Sequence, residues 1–270
     1  MSYTAIIIEP RRHPALEFVL INFLENLNNE WNIIIYYGNN NIDFLKNIID
    51  TKLNKYINRI TTINLNVNNL TLQDYNNLMI NTQFINSIPT EIFLIFQTDS
   101  MICDTNKDLI YNFLEYDYVG APWSEGGVGN GGLSLRRKSK ILEIIKNCPY
   151  NIGDPEDKYF SRGCNNIYIY KPDDKKASEF SIEGVLSDRS FGIHKPWSCG
   201  IERSIEERNQ WDLDLQKRCN KYDELKKLNT TEYFNIYNIL YFENKEEINS
   251  YDRHIIYMII ICVCLIFLLY

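Results

Sequence analysis

Glu91-Ile-Phe-Leu-Ile-Phe-Gln97, followed at once by Thr98-Asp99-Ser100, is the stretch on which the fold turns. An unbroken apolar run of this length, without polar alternation, reads as a strand buried on both faces. Such strands belong to parallel sheets covered by helices. Residues 3–9, rich in Ile and bounded by Pro10, share this character; residues 31–37, ending at Gly38, are again strand-like, and residues 60–65 are a plausible third strand. Between them lie segments with helical spacing. Residues 13–27 place Leu16, Val19, Leu20, Phe23, Leu24 and Leu27 on one face, and residues 42–53 and 72–85 continue the alternation, with Pro89 closing the last. Alternating β and α segments predict an α/β domain, a mostly parallel sheet with helices on both faces. Ligands of such sheets sit beyond the carboxyl ends of the strands. The residues just past the first and fourth runs are therefore the first candidates for chemistry.

Downstream of the fourth run the chain becomes richer in Gly, Pro and Trp. It contains Asp117-Tyr-Val-Gly-Ala-Pro-Trp123, five glycines within residues 126–132, a helical segment over 137–146, Pro155-Glu156-Asp157, and Phe191-Gly-Ile-His-Lys-Pro-Trp197. Two polar helical pieces follow, over 202–229 and 232–251, which read as a stalk or as packing helices. Residues 255–270, IIYMIIICVCLIFLLY, carry no charge. A spanning helix needs about 20 apolar residues, with a lower bound of about 17. The run is slightly short, but no turn signal breaks it, and it reads as a single C-terminal membrane anchor; a buried terminal helix or strand is the alternative. The N-terminus has no basic segment ahead of its short apolar run and is not a signal peptide. The expected organisation is a domain over 1–200, a helical stalk or packing segment over 201–254, and the anchor over 255–270.

Composition narrows the function classes. With 270 residues, 45% of them hydrophobic, the chain can bury a sizeable core, which excludes a disordered or multi-span membrane protein. A formal net charge of -7 argues against a general nucleic-acid binder, which needs a basic face. The seven cysteines are scattered, without a CxxC pair or metal-ligand spacing. They suggest reduced thiols, and with the anchor they predict a membrane protein whose domain faces the cytosol.

Five places could carry chemistry. Asp99, just past a buried strand, is held where a divalent cation bridging two phosphates would be gripped by a hard oxygen ligand; a turn or N-cap aspartate is the plain alternative. Glu9-Pro10-Arg11-Arg12-His13 closes the first strand, where Arg11 or Arg12 would pair with a phosphate or form a solvated basic corner. The glycines of 126–132 permit close approach of backbone to a ligand, or a flexible loop; they match neither a dinucleotide fingerprint nor a P-loop. Glu156 and Asp157 start a helix, with acids at the positive end of its dipole, and a carboxylate there can take a proton from an attacking hydroxyl. His194 is either a structural histidine or, beside a metal-binding Asp, a ligand.

Taken in order, IIIEPRRH (6–13), FQTDS (96–100), DYVGAPW (117–123), GNGGLSLR (129–136), PEDKYF (155–160) and FGIHKPW (191–197) resemble an uncharacterised glycosyltransferase-like family of giant viruses, bacteria and some eukaryotes, related to nucleotide-sugar transferases of the GT-A fold. The resemblance covers residues 3–200. It implies a GT-A-like, Rossmann-like domain, a metal-dependent glycosyltransferase with Mn2+ or Mg2+, a nucleotide-sugar donor (a UDP-sugar foremost), and a glycan, protein or lipid acceptor, at a host membrane or in a virion. Asp99 matches the last acid of the Asp-x-Asp pattern, while Gln97 stands where the first acid would be. The resemblance makes Asp99 and His194 the metal ligands. Glu9, Pro10, Arg11, Thr98, Asp99, Gly131 and Gly132 become donor contacts, and Asp157, ahead of Glu156, the base of an inverting transfer. The Gln97 departure motivates a second reading, a non-catalytic scaffold of the same fold in a membrane or virion.

Overall fold

The computed structural model describes residues 2–164, 166–198 and 203–230. Its first half alternates as the sequence predicts: β1 (Tyr3–Ile8), α1 (Leu16–Asn26), β2 (Trp31–Tyr37), α2 (Ile42–Ile48), β3 (Ile60–Asn64), α3 (Leu72–Met79), α4 (Thr82–Ser87) and β4 (Ile92–Phe96). The segment expected as one helix over 72–85 is two. Asn81 interrupts it and accepts the Gln83 and Phe84 N–H groups as the N-cap of α4. The second half supplies β5 (Ser100–Ile102), a 3-10 segment (Asp104–Phe113), β6 (Tyr118–Val119), β7 (Leu133–Arg137), α5 (Lys138–Asn147), α6 (Glu156–Arg162), α7 (Asp174–Ser178), β8 (Ser181–Ile182), β9 (Gly192–His194), α8 (Ile205–Arg218) and α9 (Tyr222–Thr230).

The main sheet has the order β3-β2-β1-β4-β7-β6. The first four strands are parallel, and β7 runs antiparallel to both β4 and β6. Two apolar layers cover it. One gathers Leu16, Val19, Phe23 and Trp31 with Phe180 and Ile193; the other gathers Met79, Ile85, Phe93, Ile141, Ile144 and Phe160. The run quoted first, Ile92–Phe96, is buried at every position, as a central strand covered on both faces requires.

A second, three-stranded sheet, β5-β9-β8, was not legible in the sequence because its strands are two or three residues long. Its central strand β9 pairs antiparallel with β5 (Ser100↔His194) and parallel with β8 (Ile182↔Ile193). The outer edge of β5 would leave polar backbone groups unpaired in the core. Asn22 of α1 meets them: its side chain donates to Ile102 O (3.0 Å) and accepts Ile102 N–H (2.7 Å).

The expectation of reduced thiols is corrected. Cys103 is bonded to Cys219 and Cys148 to Cys164. The pairing was invisible as spacing because the first pair lies 116 residues apart and meets only when α8 folds back over the end of β5. The inference of a reducing compartment, drawn from the scattered cysteines, loses its basis, since such bonds persist where the surroundings are oxidising. Helices α8 and α9 pack Trp211, Leu215, Tyr222 and Leu225 into the core around β1 and β4. Among the described residues no helix is long and apolar enough to cross a membrane. The expected anchor over 255–270, and the helical piece over 232–251, lie outside the described residues.

Candidate functional site

The carboxyl edge of the parallel strands opens into a cleft of about 300 Å³, lined by Glu9, Pro10 and Arg11 after β1, Gln97, Thr98 and Asp99 after β4, and Asn69–Leu72 with Tyr75 at the start of α3. The β1 side is rigid. Arg11 donates to Glu9 from its backbone (2.9 Å), from Nε (2.8 Å) and from Nη2 (2.8 Å), and this hydrogen bonding holds its pKa up against burial. The buried Asn41 donates to the carbonyls of Glu9 and Arg11 and accepts Gly38 N–H, stapling the loop to the end of β2. Arg11 thus faces the cleft already neutralised by Glu9, while Arg12 lies over the Phe44 ring at 5.9 Å, away from the cleft-lining residues.

Asp99 and His194 meet. The Gln97–Ser100 turn is closed by Ser100, whose hydroxyl donates to Gln97 O and accepts Gln97 N–H. Lys195 N–H donates to Asp99 O (2.9 Å), continuing the β5–β9 ladder. His194 Nε2 lies 3.2 Å from Asp99 Oδ1, and its Nδ1 lies 3.7 Å from Glu183 Oε2. All four atoms are buried, and none makes a geometrically sound hydrogen bond among the described residues. Burial works against a charge on His194, yet Asp99 and Glu183 outweigh it and push its pKa up to about 10. Burial likewise opposes ionisation of Asp99, and His194 overrides it to lower the carboxyl. Buried polar atoms left unmatched ask for a partner. A separation of 3.2 Å is close to the roughly 3 Å between neighbouring ligand atoms set 2.1 Å from an octahedral cation. The pair therefore fits a divalent cation. No described group of three or more His, Cys, Asp and Glu side chains is arranged to hold one unaided, so a cation there would need further ligands.

The glycine segment packs against His194 and the start of α6. A Cβ on Gly132 would stand 2.0 Å from His194 Nε2; a Cβ on Gly131 would stand 2.8 Å from Glu156 Oε1 and from Asp157 Cβ. Only residues without side chains fit here. One dipeptide thus lies between the Asp99–His194 pair and the start of α6.

Glu156 and Asp157, adjacent in sequence, have separate environments. Glu156 is buried and binds the fully buried Arg136 through both oxygens (Nη1–Oε2 2.6 Å, Nη2–Oε1 3.0 Å). Arg136 also donates Nε to Ser134 Oγ, and it stacks near Tyr118 and Phe160. Ser134 and Tyr118 in turn donate their hydroxyls to Gly131 O and Gly129 O, so this ion pair sets the path of the glycine segment. Burial raises the Glu156 carboxyl while Arg136 pulls it down; Arg136 stays charged in spite of its burial because Glu156 faces it. Asp157 is half-buried. Its Oδ2 accepts Gly131 N–H (3.2 Å) and its Oδ1 accepts Lys158 N–H (2.7 Å), leaving a lone pair on each oxygen.

Sequence reasoning missed three members. Glu183 follows a two-residue strand; the apolar run Phe180-Ser-Ile182 ending in an acid was its only signal. Arg136 carried no signal in Leu133-Ser-Leu-Arg-Arg137: the alternation set by Leu133 and Leu135 falls on Arg137, yet Arg136 is the buried one. Tyr75 lines the cleft with its hydroxyl buried and unmatched, and burial raises its pKa.

Solved structures similar to this chain include TarS 1-349 of S. aureus in complex with UDP-GlcNAc (11% identity, covering 84% of this chain and 70% of that one, TM-score 0.45). They also include the mannosyltransferase PcManGT of Pyrobaculum calidifontis in complex with GDP-Man and Mn2+ (9%, 80% and 61%, 0.49) and the glycosyltransferase GlyE of Streptococcus pneumoniae TIGR4 (12%, 87% and 64%, 0.48). No curated protein matches the chain. A family model does match, over residues 59–194, about half of the chain; the matched stretch runs from the foot of β3 to His194 and so contains Asp99, Gly131, Gly132, Glu156, Asp157 and Glu183. The chain belongs to that family, described as "Protein of unknown function (DUF5672)".

Proposed function

We propose that this chain is a metal-dependent glycosyltransferase that moves a sugar from a nucleotide-sugar donor to a hydroxyl acceptor with inversion. The observation that carries the reading is the Gly131-Gly132 dipeptide, with Asp157 hydrogen-bonded to one glycine and His194 packed on the other. A carboxylate with free lone pairs and a cation-competent Asp–His pair then lie on either side of one dipeptide. A divalent cation held by Asp99 and His194 would supply positive charge for the diphosphate as it departs.

The chain's own groups do the rest. The cleft between Glu9–Arg11 and Gln97–Asp99 binds the nucleotide, and the Glu9–Arg11 pair orients it with little net charge. Asp157 accepts the proton of the acceptor hydroxyl while that oxygen bonds to the anomeric carbon. The bond from that carbon to the diphosphate oxygen breaks, and its electron pair leaves with the diphosphate. Glu156 is unsuited to this task because Arg136 occupies both of its oxygens. It serves the reaction by fixing the glycine wall.

The test is donor consumption with Mn2+ present, beginning with UDP-GlcNAc and GDP-mannose, the donors held by two structural neighbours. The wild-type chain is expected to cleave a donor and Asp99→Ala to lose metal-dependent cleavage; full activity in that variant overturns the assignment of Asp99. The rival reading is a non-catalytic scaffold, motivated by Gln97, whose backbone is wholly engaged in the Ser100 turn. A panel of donors bound and cleaved by none would favour it.

A further inference from the structure

Four buried polar atoms are left unmatched around one imidazole, and two of them lie on the side away from Asp99: His194 Nδ1 and Glu183 Oε2, 3.7 Å apart. The placement follows from register. Ser181 and Ile182 of β8 pair in parallel with Gly192 and Ile193 of β9, so Glu183 falls beside His194. Neighbouring residues of parallel strands share a face. Glu183 is 19% exposed and His194 8%, so the facing carboxylate is largely withdrawn from water. The other face of the ring is closed by Gly132.

We propose that Glu183 is a positioning residue: facing His194 Nδ1 at 3.7 Å, it closes to accept the Nδ1–H when a cation binds, fixes the tautomer and ring plane, and so presents the Nε2 lone pair toward the cation shared with Asp99. This rests on the metal-binding reading given above. An imidazole that binds a cation through one nitrogen needs its other N–H held, and a carboxylate in that place both orients the ring and raises its basicity. A buried carboxylate with no partner and no task would be costly, and among the described residues Glu183 Oε2 has none. Its ion-pair contact is with His194.

The experiment measures Mn2+ binding to the full chain by calorimetry, with saturating UDP present to supply the diphosphate oxygens, in the wild type, Glu183→Ala, Glu183→Gln, His194→Ala and the Glu183→Ala/His194→Ala double variant. Glu183→Ala is expected to weaken Mn2+ binding about 10- to 100-fold. Glu183→Gln, which keeps an acceptor of the same size, is expected to recover a large part of that loss and controls for folding. The loss from Glu183→Ala should vanish in the His194→Ala background, because a residue acting through His194 has nothing left to position. Unchanged affinity in Glu183→Ala overturns the proposal. An equal loss in the presence and absence of His194 also overturns it, making Glu183 a direct ligand. If the wild type itself fails to bind Mn2+, the metal reading falls and the positioning role falls with it, a result distinguishable from the other two.

Discussion

Replacing Glu156 by Gln changes one atom and tests whether two neighbouring carboxylates divide the work. The Arg136 guanidinium, fully buried, is matched by Glu156 through bonds of 2.6 and 3.0 Å, with Glu156 itself 4% exposed. Glu156→Gln leaves the guanidinium in place with its counter-charge removed and one amide N–H pointed at it. Breaking one partner of such a buried pair costs about 3–5 kcal/mol. At about 2–4 °C per kcal/mol for a folded body of this size, the melting temperature should fall by roughly 6–20 °C. Asp157→Asn removes a half-buried charge but keeps an oxygen for Gly131 N–H, so its stability cost should stay near 1 kcal/mol. Urea unfolding and donor turnover of both variants are the assay. Glu156→Gln is expected to lose stability heavily and retain turnover per folded molecule at low temperature. Asp157→Asn is expected to fold normally and lose turnover by two orders of magnitude or more. A Glu156→Gln variant within 1 kcal/mol of wild type would refute the energetic argument, and an active Asp157→Asn variant would refute the base.

Three further outcomes follow from the same geometry. Gly132→Ala would set a methyl 2.0 Å from His194 Nε2, forcing the ring back by more than an ångström; Mn2+ affinity measured by calorimetry should fall at least tenfold, with about 1–3 kcal/mol of stability lost to overpacking. Cys219→Ser opens a loop of 116 residues and Cys164→Ser one of 16, so chain entropy predicts losses of about 5 and about 3 kcal/mol in denaturant melts, in that order; a larger loss for Cys164→Ser would contradict the ranking. Burial lowers the pKa of His13 to about 4, and its Nδ1 accepts Ala15 N–H. The unfolded chain therefore binds more protons between pH 6.5 and 4, stability falls by about 3 kcal/mol as pH drops through that window, and His13→Gln should flatten this limb of the pH–stability curve.

The parallel half of the sheet could be read from sequence because β1, β2 and β4 are largely apolar runs separated by segments of helical period, while the edge strand β3 (ITTIN) is mostly exposed. The same logic pointed to Asp99, since an acid directly after a buried strand has few places to go. The rest failed for physical reasons. Strands β5, β8 and β9 are too short to show a period, so the sheet that unites Asp99, His194 and Glu183 could not be drawn in advance. Glu156 and Asp157 are equivalent in sequence; only the depth of Arg136 separates them. The cysteine pairs depend on where α8 and the end of α5 come to rest, which spacing does not encode. Arg11 or Arg12 was expected to pair with a phosphate or to form a solvated basic corner, and the fold gives Arg11 a fixed partner in Glu9.

The smallest sheet carries the most demanding geometry, and that explains the fastenings around it. Strands of two or three residues are not stable by themselves, yet β5 and β9 must hold Asp99 and His194 at a fixed separation. Support comes from four directions. Asn22 satisfies the outer edge of β5; the Cys103–Cys219 bond ties its carboxyl end to α8; Asn229 of α9 donates to Thr98 O at its amino end; and Trp211 Nε1 donates to Pro196 O just beyond β9. The C-terminal helices therefore act as a brace on the Asp–His pair and not only as cover for the core. The fold holds the pair by fastening the short sheet to α1, α8 and α9 instead of lengthening its strands.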